Sequence, residues 1–327
     1  MRSDKLSSVG EIKAIERLLK QYKAFYRKDF CFPIDDDVQA FYNCKISIKI
    51  DGYCEKYSRY PWERWSNWGW RAITGTVSDL YAKGYTPFGV VYSLGLPKNF
   101  PLSKLEDISI GIKKAMREYD LSFLGGDLNV SYKYAWIDVA ALGTHSTSYI
   151  FPRSGAKAGD LVFTTLVNGY GTSSLLFFAY KNRLWNKLPR EFLNYTPRAV
   201  KEFPLVSKAI KVNSSIDSSD GLAKSLWILA KSSNVVIHID NIPIHGKVIS
   251  YLKNFNLNIE EFALYGGEEY EVIFTTSEKE DRVIRVCKSA GIECIKIGKV
   301  IEKSDKPKII FNNREIKPEG WDQFLST

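Results

Sequence analysis

A chain of 327 residues, 45% hydrophobic and 25% charged, is long enough for two globular domains with separate cores, and that composition excludes a disordered protein. The formal net charge of +9 is compatible with polyphosphate, nucleic acid or an anionic membrane, yet the lysines and arginines are spread along the chain and form no basic tail. No apolar run reaches the ~20 residues of a membrane span and the charged N-terminus lacks an apolar signal core, so a cytoplasmic location is expected.

In chain order, residues 10–27 read as a helix, with Ile12, Ile15, Leu18, Leu19 and Tyr22 at helical spacing. Residues 37–53 contain strand-like segments, in which Ile46, Ile48 and Ile50 alternate with Ser47 and Lys49 and the alternation ends at Asp51. A helix over 66–84 closed by Gly84, a strand over 87–94 and a helix over 104–119 follow; Gly125-Gly126-Asp127 then precedes a strand in 134–143. The polar connector at 153–160 puts a domain boundary nearby, giving 1–150 and 151–327. Beyond it come a strand at 161–165, helices around 171–180 and 198–211, and an acidic segment. A helix at 220–231, strands at 235–239 and within 268–276, a helix at 278–290, and strands near 292–300 and 308–311 complete the chain. Strict β-α-β alternation is absent, so the pattern predicts two α+β domains with antiparallel or mixed sheets. Five cysteines, Cys31, Cys44, Cys54, Cys287 and Cys294, include no C-x-x-C pair; they signal neither a disulfide framework nor a zinc knuckle and are expected as reduced, apolar fillers.

Aspartates recur in turn and helix-start contexts: Asp35, Asp36, Asp37, Asp51, Asp79, Asp127, Asp217 and Asp220. Taken singly, each suits a cap or a turn, as Ser78-Asp79 or Ser219-Asp220 could provide. Taken together, several beside glycines, they suggest carboxylates converging on a cation, because like charges repel unless something positive sits among them. Magnesium, a hard ion held by a few carboxylates and substrate phosphates, suits that set. Neither a G-x-x-x-x-G-K-S/T loop nor a G-x-G-x-x-G turn is present, so bound phosphates would depend on carboxylate-held metal.

The ordered segments IDDDV, IDG, VSDLYAKGYTPFGVVYSLGLP, LGGD, RSGAKAGD, SIDSSDGLAKSL, LYGGEEYEVIFTT and PEGWDQF resemble the thiamine-monophosphate kinase family, within the aminoimidazole ribonucleotide synthetase-like superfamily. The resemblance runs from about residue 30 to the end of the chain. It implies an N-terminal sheet that forms a barrel with its copy in a homodimer, ATP in the resulting cleft, and a C-terminal α/β domain closing over it. Asp37, Asp51, Asp79, Asp127 and Asp217 would hold magnesium ions bridging the triphosphate, and Asp220 a further ion. Asp51, Asp127 and Asp220 would form the catalytic set. Arg153 and Ser219 would contact ATP, Gly126 would bring backbone close to it, and Glu268 and Trp321 would recognise the substrate. The implied reaction moves the γ-phosphoryl group of ATP onto the phosphate of thiamine monophosphate, which needs in-line positioning and charge neutralisation more than a strong base. His145, His238 and His245 are therefore expected to be structural or superficial.

Three features depart from the family pattern. Its Gly-Asp-Asp is Asp35-Asp36-Asp37 here. Its Ser-Thr-Asp is Lys49-Ile50-Asp51, where the two-residue period puts Lys49 on the same strand face as Asp51, so that its ammonium either replaces a cation or weakens metal binding. Its substrate-contacting histidine falls at Ser58, although Glu55 keeps its place; Arg59 or Lys56 could take the anion contact, or the loop could be merely solvated. Residues 57–71 interleave Tyr57, Tyr60, Trp62, Trp65, Trp68 and Trp70 with arginines. That pattern fits a ligand pocket or interface better than single-stranded nucleic acid. Two alternatives stand beside the kinase: a related ATP-dependent enzyme with another phosphate or amide acceptor, and a non-catalytic nucleotide- or nucleic-acid-binding paralogue.

Overall fold

In the computed structural model, which describes residues 5–27, 29–145, 149–253, 259–322 and 324, the first five strands form one sheet. They are β1 (Gln39–Phe41), β2 (Ile46–Cys54), β3 (Tyr85–Pro97), β4 (Ser122–Ser131) and β5 (Trp136–His145), in the order β1-β2-β5-β3-β4. Neighbours are antiparallel except β3 and β4, which run parallel because the Leu102–Glu118 helix carries the chain back between them. That helix and the Trp65–Ala82 helix cover one face. Trp68, Ile73, Val77 and Leu80 pack there on Val90, Ile137, Val139 and Ala141, all buried. Removing a large side chain such as Trp68 from so dense a core costs about 3–5 kcal/mol. Gly84, at φ +75°, ends the turn after the Trp65–Ala82 helix in a conformation that favours glycine.

The register of this sheet decides what the site can contain. Ser47, Lys49, Asp51 and Tyr53 face the helices, so the apolar residues between them face away, leaving Ile48 and Ile50 41% and 65% exposed. Along the cross-strand rows, Asp51 aligns through Val139 and Tyr92 with Gly126, whereas Gly52 aligns through Asp138 and Ser93 with Asp127. Asp127 therefore stands on the outer face, with Ile48 and Ile50.

The second sheet contains β6 (Leu161–Thr165), β7 (Ser214–Asp217), β8 (Val235–Ile239), β9 (Val272–Thr276), β10 (Cys294–Lys303), β11 (Lys308–Phe311) and β12 (Arg314–Ile316). Their order is β12-β11-β8-β10-β6-β9-β7, with β8 and β11 parallel and the other neighbours antiparallel. The Leu222–Ser233 helix packs Leu222, Leu226 and Leu229 on one face with Ile237 and Ile273; Phe203, Val283 and Cys287 pack on the other with Phe163 and Phe274. The architecture is α+β with two mixed sheets. Among the described residues, no helix is long and apolar enough to cross a membrane.

Three expectations are corrected. Cys31 pairs with Cys44 and Cys287 with Cys294, so four of the five cysteines are cross-linked; spacings of 13 and 7 residues do not reveal Cα separations of 5.7 and 6.1 Å. Gly125-Gly126-Asp127 lies inside β4 and not in a turn before a strand, because all three pair with β3; Gly125, at φ +142°, follows a register shift in that pairing. Asp79 lies within the Trp65–Ala82 helix, near its end, and Asp220 makes no side-chain cap to the helix after it, so neither is an N-cap.

Candidate active site

A cleft of about 870 Å³ opens between the two sheets. Its walls include Asp37, Asp51, Asp79, Arg153, Asp217, Ser219 and Asp220, and further along Ser58, Glu268 and Trp321. Asp51 comes from β2, Asp79 from the helix packed against it, and Asp217 from the end of β7, which is joined to that helix by the Lys83 ammonium on the Ser215 carbonyl. Gly126 and Asp127, on the edge strand β4, are not among the lining residues. The Asp127 carboxylate accepts from the Leu128 amide at 2.9 Å and from Asn129 Nδ2 at 2.8 Å. A Cβ at Gly126 would meet the Tyr92 carbonyl at 2.7 Å, so strand packing explains that glycine here.

Four basic side chains thread the carboxylates. Lys49 Nζ lies 2.7 Å from Asp79 Oδ2 and 3.2 Å from Asp51 Oδ1. Lys83, fully buried, lies 3.0 Å from Asp36 and 3.4 Å from Asp37, and Arg153 Nη1 lies 2.9 Å from Asp37. Lys224, in the first turn of the Leu222–Ser233 helix, reaches back to hold Asp220 at 2.6 Å and donates to the Trp321 carbonyl, while the Trp321 amide donates to the Asp220 carbonyl. Burial alone would raise the Asp37 carboxyl, but Arg153, Lys83 and Lys49 outweigh it and hold it at about 2. Asp79 goes the other way, pushed well above the usual carboxylate range by burial and by Asp217. Asp217 is itself raised to about 7, chiefly by burial, and Asp51 is raised for the same first reason.

These residues fit a magnesium site by chemistry: hard carboxylate oxygens, and a buried Asp217 Oδ2 with no hydrogen-bond partner. Among the described residues no three His, Cys, Asp or Glu groups are already gathered into a metal-holding cluster. The ion pairs give the reason, since the ammonium and guanidinium groups hold the carboxylates toward themselves.

Around Glu268 and Ser58 the wall is completed by Arg71 and Glu63, which the sequence did not single out. Arg71 pairs with Glu268 at 2.7 Å and Glu63 at 3.2 Å and donates to the Ser58 carbonyl. Glu63 is pushed up to about 7, mainly by burial. Nothing local could have paired Arg71 with Glu268, 197 residues away, whereas the four-residue spacing of Asp220 and Lys224 was a readable signal. Ser58 Oγ donates to the Cys54 carbonyl and accepts from Trp68 Nε1, both at 2.9 Å, so it braces the wall. Trp321 meets Phe177 edge-on at 5.3 Å. The 57–71 stretch is largely spent on packing: Tyr60 stacks on Trp62, Trp62 stacks on Trp185 from beyond the first sheet, and Trp65 and Trp68 are buried. Its Arg59 lies 4.2 Å over the Trp65 ring. His238 faces Asp240, and His245 accepts from the Lys247 amide at the start of a short helix. The N-terminal helix Glu11–Tyr22 adds Ile12, Ile15 and Leu19 to one rim.

The two halves that flank this cleft match the AIR synthase related proteins, the N-terminal domain of that family over residues 35–145 and its C-terminal domain over 157–309. Thiamine-monophosphate kinase of Nitrosopumilus maritimus is 34% identical over 263 residues, 78% of this chain and 81% of that protein. Among solved structures, AaThiL complexed with AMPPCP and TMP is 26% identical, with a TM-score of 0.82 over 98% of this chain and 99% of that one. The thiamine monophosphate kinase from Aquifex aeolicus gives 26% identity and a TM-score of 0.75 over 96% of this chain and 100% of its own. The chain belongs to the thiamine-monophosphate kinase family.

Proposed function

We propose that this protein transfers the γ-phosphoryl group of ATP to the phosphate of thiamine monophosphate, giving thiamine diphosphate. One observation carries the reading: Asp37, Asp51, Asp79, Asp217 and Asp220, distant in sequence, line one cleft together with Arg153, Ser219, Glu268 and Trp321. The relatives named thiamine-monophosphate kinase and the neighbour complexed with AMPPCP, an analogue of ATP, and TMP support it.

Magnesium held by Asp37, Asp51, Asp79, Asp217 and Asp220 would neutralise the charge that spreads over the phosphate oxygens during transfer. Arg153, tethered to Asp37, offers a guanidinium to the triphosphate, and the Ser219 hydroxyl adds a hydrogen bond. Glu268, fixed by Arg71, and the Trp321 ring receive the cationic heterocycle by charge and π density. With Ser58 engaged in the wall, the acceptor phosphate falls to Lys56 and Arg59, which line the same cleft. The acceptor is already anionic, so positioning along the line of attack is the main demand on the chain.

The reading includes a homodimer. The outer face of the first sheet exposes Ile48 and Ile50, and the same face carries Asp127, which a second copy would bring to a cleft. It divides the chain into 1–150, with nucleotide, metal and dimer contacts, and 151–327, which closes over them. A cytoplasmic location follows from its use of ATP. Incubation with ATP, magnesium and thiamine monophosphate, followed by mass spectrometry, should show product heavier by one phosphoryl group together with ADP. An unchanged acceptor under conditions where the protein binds ATP would overturn the assignment.

A further inference from the structure

The two-residue period of β2 delivers an ammonium into the acidic end of the cleft. Lys49 Nζ bridges Asp51 on its own strand and Asp79 on the helix above, at 3.2 and 2.7 Å, with only 17% of its side chain exposed. Among the described residues, the other basic groups at this end bind elsewhere: Lys83 to Asp36, Asp37 and the Ser215 carbonyl, Arg153 to Asp37, and Lys224 to Asp220 and the Trp321 carbonyl. Lys49 thus serves Asp51 and Asp79, while Asp217, beside the Ser78 hydroxyl, has no ion pair among the described residues and its Oδ2 is buried without a hydrogen-bond partner.

We propose that Lys49 is a built-in cation of this site, standing between Asp51 and Asp79 where a divalent ion would otherwise sit, so that the chain loads about one metal ion fewer with its nucleotide. A lysine ammonium is a compact charge with three donors, enough to span two carboxylates and leave one proton for a phosphate oxygen. It cannot leave the site when metal is scarce, so Asp51 and Asp79 stay bridged in the absence of magnesium. The Asp217 oxygen that is buried without a hydrogen-bond partner marks where a divalent ion is still needed. The inference deepens the kinase reading and rests on it.

The test counts Mn2+ bound per protomer by electron paramagnetic resonance, with AMPPCP present and no thiamine compound, in the wild type, Lys49→Ser and Lys49→Arg. Lys49→Ser should bind about one ion more than the wild type, and Lys49→Arg the wild-type number. In chelator, Lys49→Ser should also melt earlier than the wild type, with Mn2+ restoring it more than it raises the wild type. Equal counts in wild type and Lys49→Ser, or a Lys49→Ser protein that Mn2+ fails to restore, overturn the inference alone. A wild type that shows no nucleotide-dependent Mn2+ binding overturns the kinase reading as well.

Discussion

Glu269 shows at the residue scale how this protein spends a buried charge. Its side chain is fully enclosed, accepts from the Gly171 amide at 2.8 Å and the Ser173 amide at 3.2 Å, and receives the Tyr195 hydroxyl at 3.4 Å, where the Thr172–Lys181 helix begins. Burial raises its carboxyl to about 8 against the lowering pull of those amides. The folded state then holds a proton that the unfolded chain, titrating in the ordinary glutamate range, has already released. Between about pH 5 and 8 the folded form binds more protons, so this residue's stabilising contribution is full at the acidic end and declines as pH rises. Glu269→Gln keeps an acceptor for both amides and removes the titration. Urea midpoints should fall with pH for the wild type, by up to ~1.4 kcal/mol per pH unit from this group, and should be flatter for Glu269→Gln. Parallel profiles would show that Glu269 is ionised throughout. Lys49 was legible from period alone, because a strand's alternation needs no tertiary knowledge. Arg71, Lys83 and the buried state of Glu269 were not, because each is defined by partners brought from distant segments.

At the scale of elements, the long helices and the strands of the second sheet were legible where pattern and punctuation agreed, as at Val235–Ile239 and Leu161–Thr165. Failure came where local chemistry pointed one way and pairing another. Gly125-Gly126 has the composition of a turn, yet β3 runs beside it and makes it strand. The isoleucines of β2 were read correctly as a strand, but nothing in one strand says which face its own helices will cover. The cysteines are the third case. Cys31–Cys44 closes the segment that carries Asp35, Asp36, Asp37 and β1, ending in a turn where Tyr42, Asn43 and Cys44 all have positive φ, 51°, 55° and 62°. A cross-link over 13 residues restricts the unfolded chain by about 3 kcal/mol. Cys31→Ser should therefore lower stability by roughly 2–3 kcal/mol under oxidising conditions and match the wild type once both are reduced. Identical urea midpoints in oxidising buffer would contradict it.

At the scale of the whole molecule, the sheet register sets a problem that one chain does not solve. Asp51 faces the helices and the cleft, whereas Asp127 faces outward from the same sheet, beside the exposed Ile48 and Ile50. If both act on one nucleotide, they come from different protomers joined across that outer face, and two consequences follow. Ile48→Asp puts a charge on the apolar face away from the cleft, and sedimentation should show monomer with loss of kinase activity. Asp51→Ala and Asp127→Ala, each inactive alone, should partly restore one another when unfolded together and refolded. Each heterodimer has one site with both aspartates intact and one with neither, and heterodimers make up about half of a random mixture, so about a quarter of wild-type activity should return. Residues acting within one protomer would leave every site in that mixture damaged. A refolded mixture that contains heterodimers and stays inactive would therefore remove Asp127 from the shared site, and with it the reason for the apolar face to meet a second copy there.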